Sequence, residues 1–360
     1  MVLRVGVVGV PFPNGIGMIH ASCHAKDKLA KLVAVCDLIK EKADGAANEF
    51  GVNAYYSVHD MIEKEPDLEI VDVCTGGNEN GSLHYEPAIQ ALEAGKHVLV
   101  EKPISNDIEE ARKMVAKARQ KGLYLGCNLN HYFAPPADRA MKYINDGEIG
   151  ELVYCLHKMG FQGGERTYEG PSSSPRIKGY PYFHVKAFLT HPFSVMRYFC
   201  GDISHVQAFL NRPSFRKKAG DEMVSINSIH VKFANDCVGY LLSTRGDTTM
   251  GLGGWWSVEV GGTLGTFCIE NCIEKVTYWS APKSQSASVQ PKITSSGLTD
   301  FNQTFPNRIH AFLEDITNKV PLEKLRASGR DALAALEYTW AAMESYEKGG
   351  VLVTPHPLPS

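Results

Sequence analysis

The sequence predicts an α/β Rossmann domain followed by an α+β domain with a large, mostly antiparallel sheet, and three observations carry that expectation. Residues 1–130 alternate short β-branched runs with amphipathic segments rich in Ala, Glu and Lys, a rhythm that demands parallel crossovers. Beyond residue 130 the runs lengthen and alternate apolar with polar residues, as antiparallel strands with one wet face do. The 360 residues exceed the usual size of one core, so two tandem domains are expected, 1–130 and 131–360.

In chain order, strand-like runs cover Arg4 to Val8, Leu32 to Cys36, Ile70 to Cys74, His97 to Val100 and Leu123 to Cys127. Helices are expected over Ile39 to Phe50, Leu83 to Ala94 and Asp107 to Lys121, where apolar residues recur at helical spacing. A helix from Pro136 to Asn145 leads into runs at Leu152 to Gly160, Val206 to Asn211, Ser225 to Phe233, Val238 to Thr244, Ser257 to Val260 and Thr266 to Ile269. Gly163 to Pro181, rich in Gly, Ser and Pro, reads as a loop. Ser284 to Ser296 is polar and weakly patterned, and Asn307 to Asn318 and Asp331 to Glu347 close the chain as helices.

Charge narrows the partner. Against 40 Asp and Glu stand 37 Lys and Arg, with no long run of either sign, so a small molecule is favoured over nucleic acid or an anionic membrane. No apolar stretch reaches the roughly 20 residues that cross a bilayer, and the first ten residues read as a buried strand rather than a signal sequence. Nine scattered cysteines suit free thiols in the cytoplasm. The close pair Cys268 and Cys272 lacks a second Cys or His pair at ligand spacing, so no metal site is expected.

The first strand ends at Gly9 and runs through Val10-Pro11-Phe12-Pro13-Asn14-Gly15-Ile16-Gly17 into a helical stretch. A Rossmann fold presents backbone N–H groups to a pyrophosphate at that point, which makes Gly9, Phe12, Asn14, Gly15 and Ile16 candidate cofactor contacts. Gly15 and Gly17 match the first half of Gly-x-Gly-x-x-Gly, while His20 stands at the third glycine position. Asp37 follows a strand 20 positions after Gly17, the offset of an acid that binds ribose hydroxyls. A carboxylate there repels a 2′-phosphate, so NAD is expected rather than NADP; the plainer reading of Asp37 is a helix cap.

Ala94-Gly95-Lys96-His97-Val98-Leu99-Val100-Glu101-Lys102-Pro103 places a charged pair at the C-terminal edge of a buried strand, where open α/β sheets bind ligands. Here the sequence resembles the glucose-fructose oxidoreductase, inositol dehydrogenase and MocA (Gfo/Idh/MocA) family, whose hallmark after this strand is Glu-Lys-Pro. Gly147 to Gly150, Val258 to Gly265 and Asp331 to Gly349 extend the resemblance nearly end to end. It implies that Lys102 lies near the reacting hydroxyl and the nicotinamide, with Glu101 beside it. Thr75, Gly76 and Asn78, with His84, resemble the family's Thr-Pro-Asn turn and following His that wrap the cofactor, Gly76 replacing the proline. Asn130 matches the family's Asn on the nicotinamide side, and Tyr132 replaces a commonly basic residue. His191, Arg197 and Gly201 fit the family's helix frame, but its acids are missing: Ala187 and Ser194 stand in their places.

Chemistry agrees with the resemblance at two residues. An ammonium beside a carbinol oxygen stabilises a developing alkoxide or polarises a ketone, a desolvated lysine loses its proton more readily and can act as a base, and an imidazole accepts a proton near neutral pH, so Lys102 and His191 are the expected catalytic pair. Pro192 suits a helix that begins near His191, which leaves His184 and Lys186 on the approaching loop, His184 as a third catalytic candidate in contact with substrate and Lys186 as a substrate contact. Tyr132 offers a flat face and a hydroxyl to a sugar ring, or is simply buried. Trp255 and Trp256 point to opposite faces of a strand, one into the core and one toward a subunit interface.

The resemblance thus implies NAD-dependent oxidation of a ring hydroxyl of a sugar, inositol or glycoside, the 3-hydroxyl of a glycoside being one candidate, or the reverse reduction. Two rivals stand beside it: a lyase or glycosidase that retains NAD and acts through transient oxidation, and a non-catalytic NAD-binding regulator, suggested by the missing acids. The open face of the second sheet implies a homodimer or homotetramer.

Overall fold

In the computed structural model, residues 2–77, 79–161, 179–248, 251, 254–282, 284 and 287–359 are described. They fall into two compact units, Met1–Asn130 with Asn302–Leu333 and Leu358–Ser360, and His131–Phe301 with Ala334–Pro357.

In the first unit, β1 (Leu3–Val8), β2 (Ala30–Cys36), β3 (Asn53–Tyr55), β4 (Ile70–Val73), β5 (His97–Val100) and β6 (Leu125–Cys127) form a parallel sheet in the order β3-β2-β1-β4-β5-β6. That is the doubly wound order, with its switch point between β1 and β4. Helices α1 (Ile16–Lys26), α2 (Lys40–Phe50), α3 (Val58–Lys64), α4 (Tyr85–Glu93) and α5 (Ile108–Lys121) make the crossovers. Local chemistry sets their ends: the Asp107 side chain accepts the Glu109 and Glu110 N–H groups at the start of α5, and Gly122 closes it in the left-handed conformation. β3 and α3 escape the sequence reading because three strand residues and seven helix residues show no period; Ser57 caps α3 through Asp60 N–H.

The second unit holds α6 (Pro135–Asn145), β7 (Leu152–Phe161), α7 (Phe183–Phe188), α8 (Thr190–Cys200), β8 (Ile203–Asn211), α9 (Ser214–Lys218), β9 (Ile226–Phe233), β10 (Val238–Arg245), β11 (Trp256–Gly262), β12 (Gly265–Glu270), β13 (Lys275–Ser280) and β14 (Lys292–Ser295). Its sheet runs β14-β13-β12-β11-β7-β10-β9-β8, antiparallel except for the β7–β10 pair. β14 lies within the segment that looked unpatterned; all four of its residues are exposed, so only its backbone pairing marks it. Of the expected loop Gly163 to Pro181, residues 163–178 lie outside the described residues.

Two helices close the chain, α10 (Thr304–Thr317) and α11 (Gly329–Glu347). Residues 302–333 and 358–360 cluster with the first unit, which corrects the expected assignment of everything after residue 130 to the second domain. The reason is burial: Ile309, Phe312, Leu313 and Ile316 of α10 pack with Leu3, Val5, Ile70 and Leu99 in one core, each such side chain contributing about 1.5–3 kcal/mol. Fully buried Arg308 ties this helix to the sheet, donating to the carbonyls of Cys127 at 3.0 Å and Ala327 at 3.1 Å. Among the described residues, no helix is long and apolar enough to cross a membrane.

Candidate active site residues

The turn after β1 is built on three glycines. A Cβ on Gly9 (φ 84°) would lie 2.7 Å from the Thr75 nitrogen, and one on Gly15 (φ 140°) would lie 2.4 Å from the Pro11 ring. A Cβ on Gly17 would lie 1.9 Å from the Gly9 oxygen, so Gly17 makes the close helix–strand approach of a fingerprint's last glycine. The expectation that His20 stands at that position is thereby corrected: residues 10–14 stretch the turn, and His20 lies one helical turn further on. Asn14, Gly15 and Ile16 are exposed there, with Phe12 packed beneath against Gly45. No side chain caps α1 and its first turn holds no acid, leaving a helix N-terminus suited to a pyrophosphate.

Half-buried Asp37 ends β2, its Oδ1 accepting the Ile39 N–H at 2.9 Å. The N-cap of α2 is Ile39 itself, so Asp37 orients its carboxylate on the turn rather than capping the helix. Beyond it Leu38 is 84% exposed. A glycine cradle, an uncapped helix start and an acid at the next strand end fit NAD.

At the end of β4, the Thr75 hydroxyl donates to the Leu83 carbonyl at 2.6 Å. A Cβ on Gly76 would meet nothing within 4 Å, so nothing steric requires a glycine where the family carries proline. Asn78 lies outside the described residues. Buried His84 bonds through Nδ1 to the Pro103 carbonyl at 2.8 Å; burial pushes its pKa down, so the ring donates while neutral and holds the turn that follows Lys102.

Beneath this turn lies a charged network. The His20 ring sends Nδ1 to Asp72 Oδ2 at 2.8 Å and Nε2 to Glu101 Oε1 at 3.0 Å. Two carboxylate acceptors require two N–H donors, so His20 is an imidazolium. Burial works against that charge, but the attraction and hydrogen bond of Asp72 overcome it and raise the pKa well above 6.5. His24 Nε2 adds a bond to Asp72 at 2.7 Å, and the Asn128 amide donates to Glu101 Oε1. Burial alone would raise both carboxyl groups; His20 outweighs it at each, and both end below their usual range. Glu101 Oε2 accepts the backbone N–H of half-buried Lys102 at 3.1 Å. Asn130, singled out from sequence, instead donates to the Thr304 hydroxyl at 2.8 Å.

Sequence reasoning passed over His20, Asp72 and Asn128 as members of this network. The readable signal was Asp72 in the middle of Ile70-Val71-Asp72-Val73: a charge in a fully buried strand needs a partner.

In the second unit, His184 and Lys186 stand on the short helix α7, not on a loop as expected, and α7 gives way to α8 at Leu189. His184 is 1% exposed, its ring tilted on Phe188 at 4.7 Å, and the Lys186 ammonium lies 5.5 Å over the Trp340 ring. Tyr132 is buried and stacks on Tyr198 at 4.4 Å, so one of the flat faces offered to a sugar is taken. Ala187 is buried, and the Ser194 hydroxyl donates to the His191 carbonyl at 2.7 Å; neither missing acid is replaced at its own position. The His191 ring lies flat on that of His131, centroids 3.7 Å apart and planes at 14°. Trp256, 1% exposed, donates its indole N–H to His131 Nδ1 at 3.0 Å. His131 was not picked out from the sequence, where it looks like a spacer between Asn130 and Tyr132.

Comparisons with known proteins agree with these features. The family profile described as an oxidoreductase family with an NAD-binding Rossmann fold, GFO_IDH_MocA, matches residues 3–129. The chain is 27% identical over 337 residues to scyllo-inositol 2-dehydrogenase (NAD(+)) of Bacillus subtilis, covering 91% of each chain. It is 34% identical over 155 residues to D-glucoside 3-dehydrogenase of Escherichia coli, covering 42% of this chain and 41% of that one. The structure of levoglucosan dehydrogenase in complex with NADH shares the fold, with a TM-score of 0.81 at 22% identity over 99% of this chain and 100% of that one. Likeness therefore extends beyond the nucleotide turn: residues 3–129 match the Gfo/Idh/MocA profile, and the similarity to the inositol dehydrogenase spans 91% of the chain.

Proposed function

We propose that this chain uses NAD to oxidise a ring hydroxyl of a sugar, inositol or glycoside to a ketone, or catalyses the reverse, with the 3-hydroxyl of a glycoside as first candidate. Similarity to inositol and glucoside dehydrogenases supports the substrate class. NAD, when bound, supplies the hydride acceptor; the chain's residues position the substrate and manage its proton.

One observation carries the division of labour. Glu101 is bonded at both oxygens, Oε1 by His20 and Asn128 and Oε2 by Lys102 N–H, and an ionised carboxylate held this way is a poor base. Proton abstraction therefore falls to His191, and the Lys102 ammonium stabilises the developing alkoxide. His184 stands as a third catalytic candidate, Lys186 and Tyr132 as substrate-side residues, and Gly9, Phe12, Asn14, Gly15, Ile16, Asp37, Thr75, Gly76, Asn78, His84, Glu101, Lys102 and Asn130 as the cofactor set.

The test is NADH absorbance with NAD and then NADP across inositols, free sugars and O- and C-glycosides. NADH from one class is expected, with NAD preferred. Lys102→Ala should lower turnover on the order of 10²–10⁴-fold while NAD binding persists, and unchanged turnover would remove this mechanism. Cleaved glycoside without net NADH would instead mark a lyase that retains its cofactor.

We further propose a cytoplasmic homodimer or homotetramer. All nine cysteines are free thiols, as a reducing compartment requires, and Leu156, Phe209, Val238 and Ile293 are exposed along the second sheet.

A further inference from the structure

The family's acids beside His191 are Ala187 and Ser194 here, and a histidine that moves a proton needs something to fix its ring and tautomer. The second unit places three aromatic groups in line. Trp256 donates to His131 Nδ1 at 3.0 Å, and His131 lies under His191 with a 3.7 Å stack. An indole nitrogen is a donor only, so His131 Nδ1 must be the acceptor, and the ring is neutral with its proton on Nε2. A second proton on His131 would set N–H against N–H at the indole and one cation against another across the stack.

We propose that His131 and Trp256 are positioning residues for His191: the indole fixes His131 as a neutral plate, and the stack makes His191 the one ring of the pair that takes a proton. The inference rests on the reading of His191 as the base. A neutral aromatic face beneath an imidazolium is favourable, so the plate tolerates charge on His191 while itself refusing it. The surroundings keep the same bias. Across the indole, the His157 ring meets Trp256 at 4.9 Å; its Nδ1 bonds to the Ser257 carbonyl at 2.7 Å, and burial pushes its pKa down to about 4. The Cys272 thiol donates to the His131 carbonyl at 3.3 Å, and burial pushes that thiol up. Phe301 and Trp255 meet the His131 ring edge-on at 5.2 and 6.2 Å. On the helical side His184 tilts on Phe188, Lys186 lies over Trp340, and Arg197 pairs with Asp202 at 2.6 Å.

The test needs no substrate. In the full chain labelled with ¹⁵N-histidine, two-bond proton–nitrogen spectra read the tautomer and titration of each ring, assigned with His131→Phe and His191→Asn. His131 should show a bare Nδ1 and a protonated Nε2, and should stay neutral through the range in which an ordinary histidine charges, around 6.5, while His191 titrates alone. Trp256→Phe keeps a ring and removes the donor, so His131 should begin to share the proton. A wild-type His131 that titrates in the ordinary range, or curves unmoved by Trp256→Phe, would overturn the proposal.

Turnover then separates this inference from the reading it rests on. With the substrate that yields NADH, Trp256→Phe should lower kcat about tenfold and shift its pH profile with little change in KM, and that loss should vanish in a His131→Phe background. A merely structural tryptophan would cost the same in both backgrounds and leave the profile in place. If His191→Asn leaves turnover intact, the catalytic reading fails even though the proton assignment in the spectra stands.

Discussion

Two buried histidine sites in this chain solve opposite problems. In the first unit His20 sits between Asp72 and Glu101 with both ring nitrogens on carboxylates, and it is charged because it must donate twice. In the second unit His131 sits between an indole donor and another imidazole, and it is neutral because it must accept. Both rings are nearly inaccessible, so burial does not decide their charge; the partners' donor or acceptor character does. The ionised site fixes a backbone turn, and the neutral one leaves its neighbour free to change charge.

The largest expected effect comes from removing the charge in the first site. His20→Leu leaves Asp72 and Glu101 buried without their cation and should cost about 3–5 kcal/mol of stability, read by urea or thermal unfolding. His131→Phe keeps the stacked plate but leaves the buried Trp256 N–H without its acceptor, and should cost less, about 1–3 kcal/mol. Equal costs would mean that the two sites do not differ in charge.

The pH dependence should differ as well, and the chain carries a built-in probe: all four tryptophans, Trp255, Trp256, Trp279 and Trp340, belong to the second unit. His157 has a folded pKa near 4 against an ordinary 6.5. The unfolded chain thus binds its proton more readily, and stability falls as pH drops from 6.5 toward 4, by on the order of 3 kcal/mol in all. The first site's network keeps its contribution over that range. The stability given by lowered Asp72 and Glu101 is complete above their ordinary 3.8 and 4.5 and is lost as pH falls through their folded values. That given by raised His20 is complete below 6.5 and is lost only as pH rises through its folded value. Between pH 6.5 and 4.5, tryptophan fluorescence should report the weakening of the second unit that His157 causes; lowered His84 acts in the same direction in the first unit, outside the Asp72–His20–Glu101 network. His157→Gln, which retains a donor for Ser257, should flatten the fluorescence response; a response that persists in this variant would assign the acid sensitivity to another group.

Much of this contrast was hidden in the sequence for a physical reason. The parallel sheet was legible because its strands are continuous β-branched runs separated by helical periods, and Glu101-Lys102-Pro103 was legible because the motif is contiguous. His20, Asp72 and Asn128 are 52 and 56 residues apart along the chain, and only the β1–β4–β5–β6 order brings them together. His131 and Trp256 are 125 residues apart, one in the turn before α6 and the other at the start of β11. Ownership of α10 was equally illegible, because an amphipathic helix declares that it buries a face but not which core receives it.

The smallest expected effect tests whether the first site is an ion network at all. The donor atoms of His20, Asp72 and Cys74 lie within 4.8 Å of one another, a set that could also bind a metal. Two facts argue for hydrogen bonds. His20 and His24 both reach the same Asp72 oxygen, at 2.8 and 2.7 Å, the lengths of charge-assisted bonds. The Cys74 thiol also donates to Asp72 Oδ1 at 3.6 Å, so it takes part in the same hydrogen-bond network. EDTA treatment, or added Zn²⁺, should therefore shift the Tm by less than about 1 °C. A marked rise with Zn²⁺ that is lost in Cys74→Ser would convert His20 from imidazolium to neutral ligand, and the two histidine sites would then differ in their partners but no longer in charge.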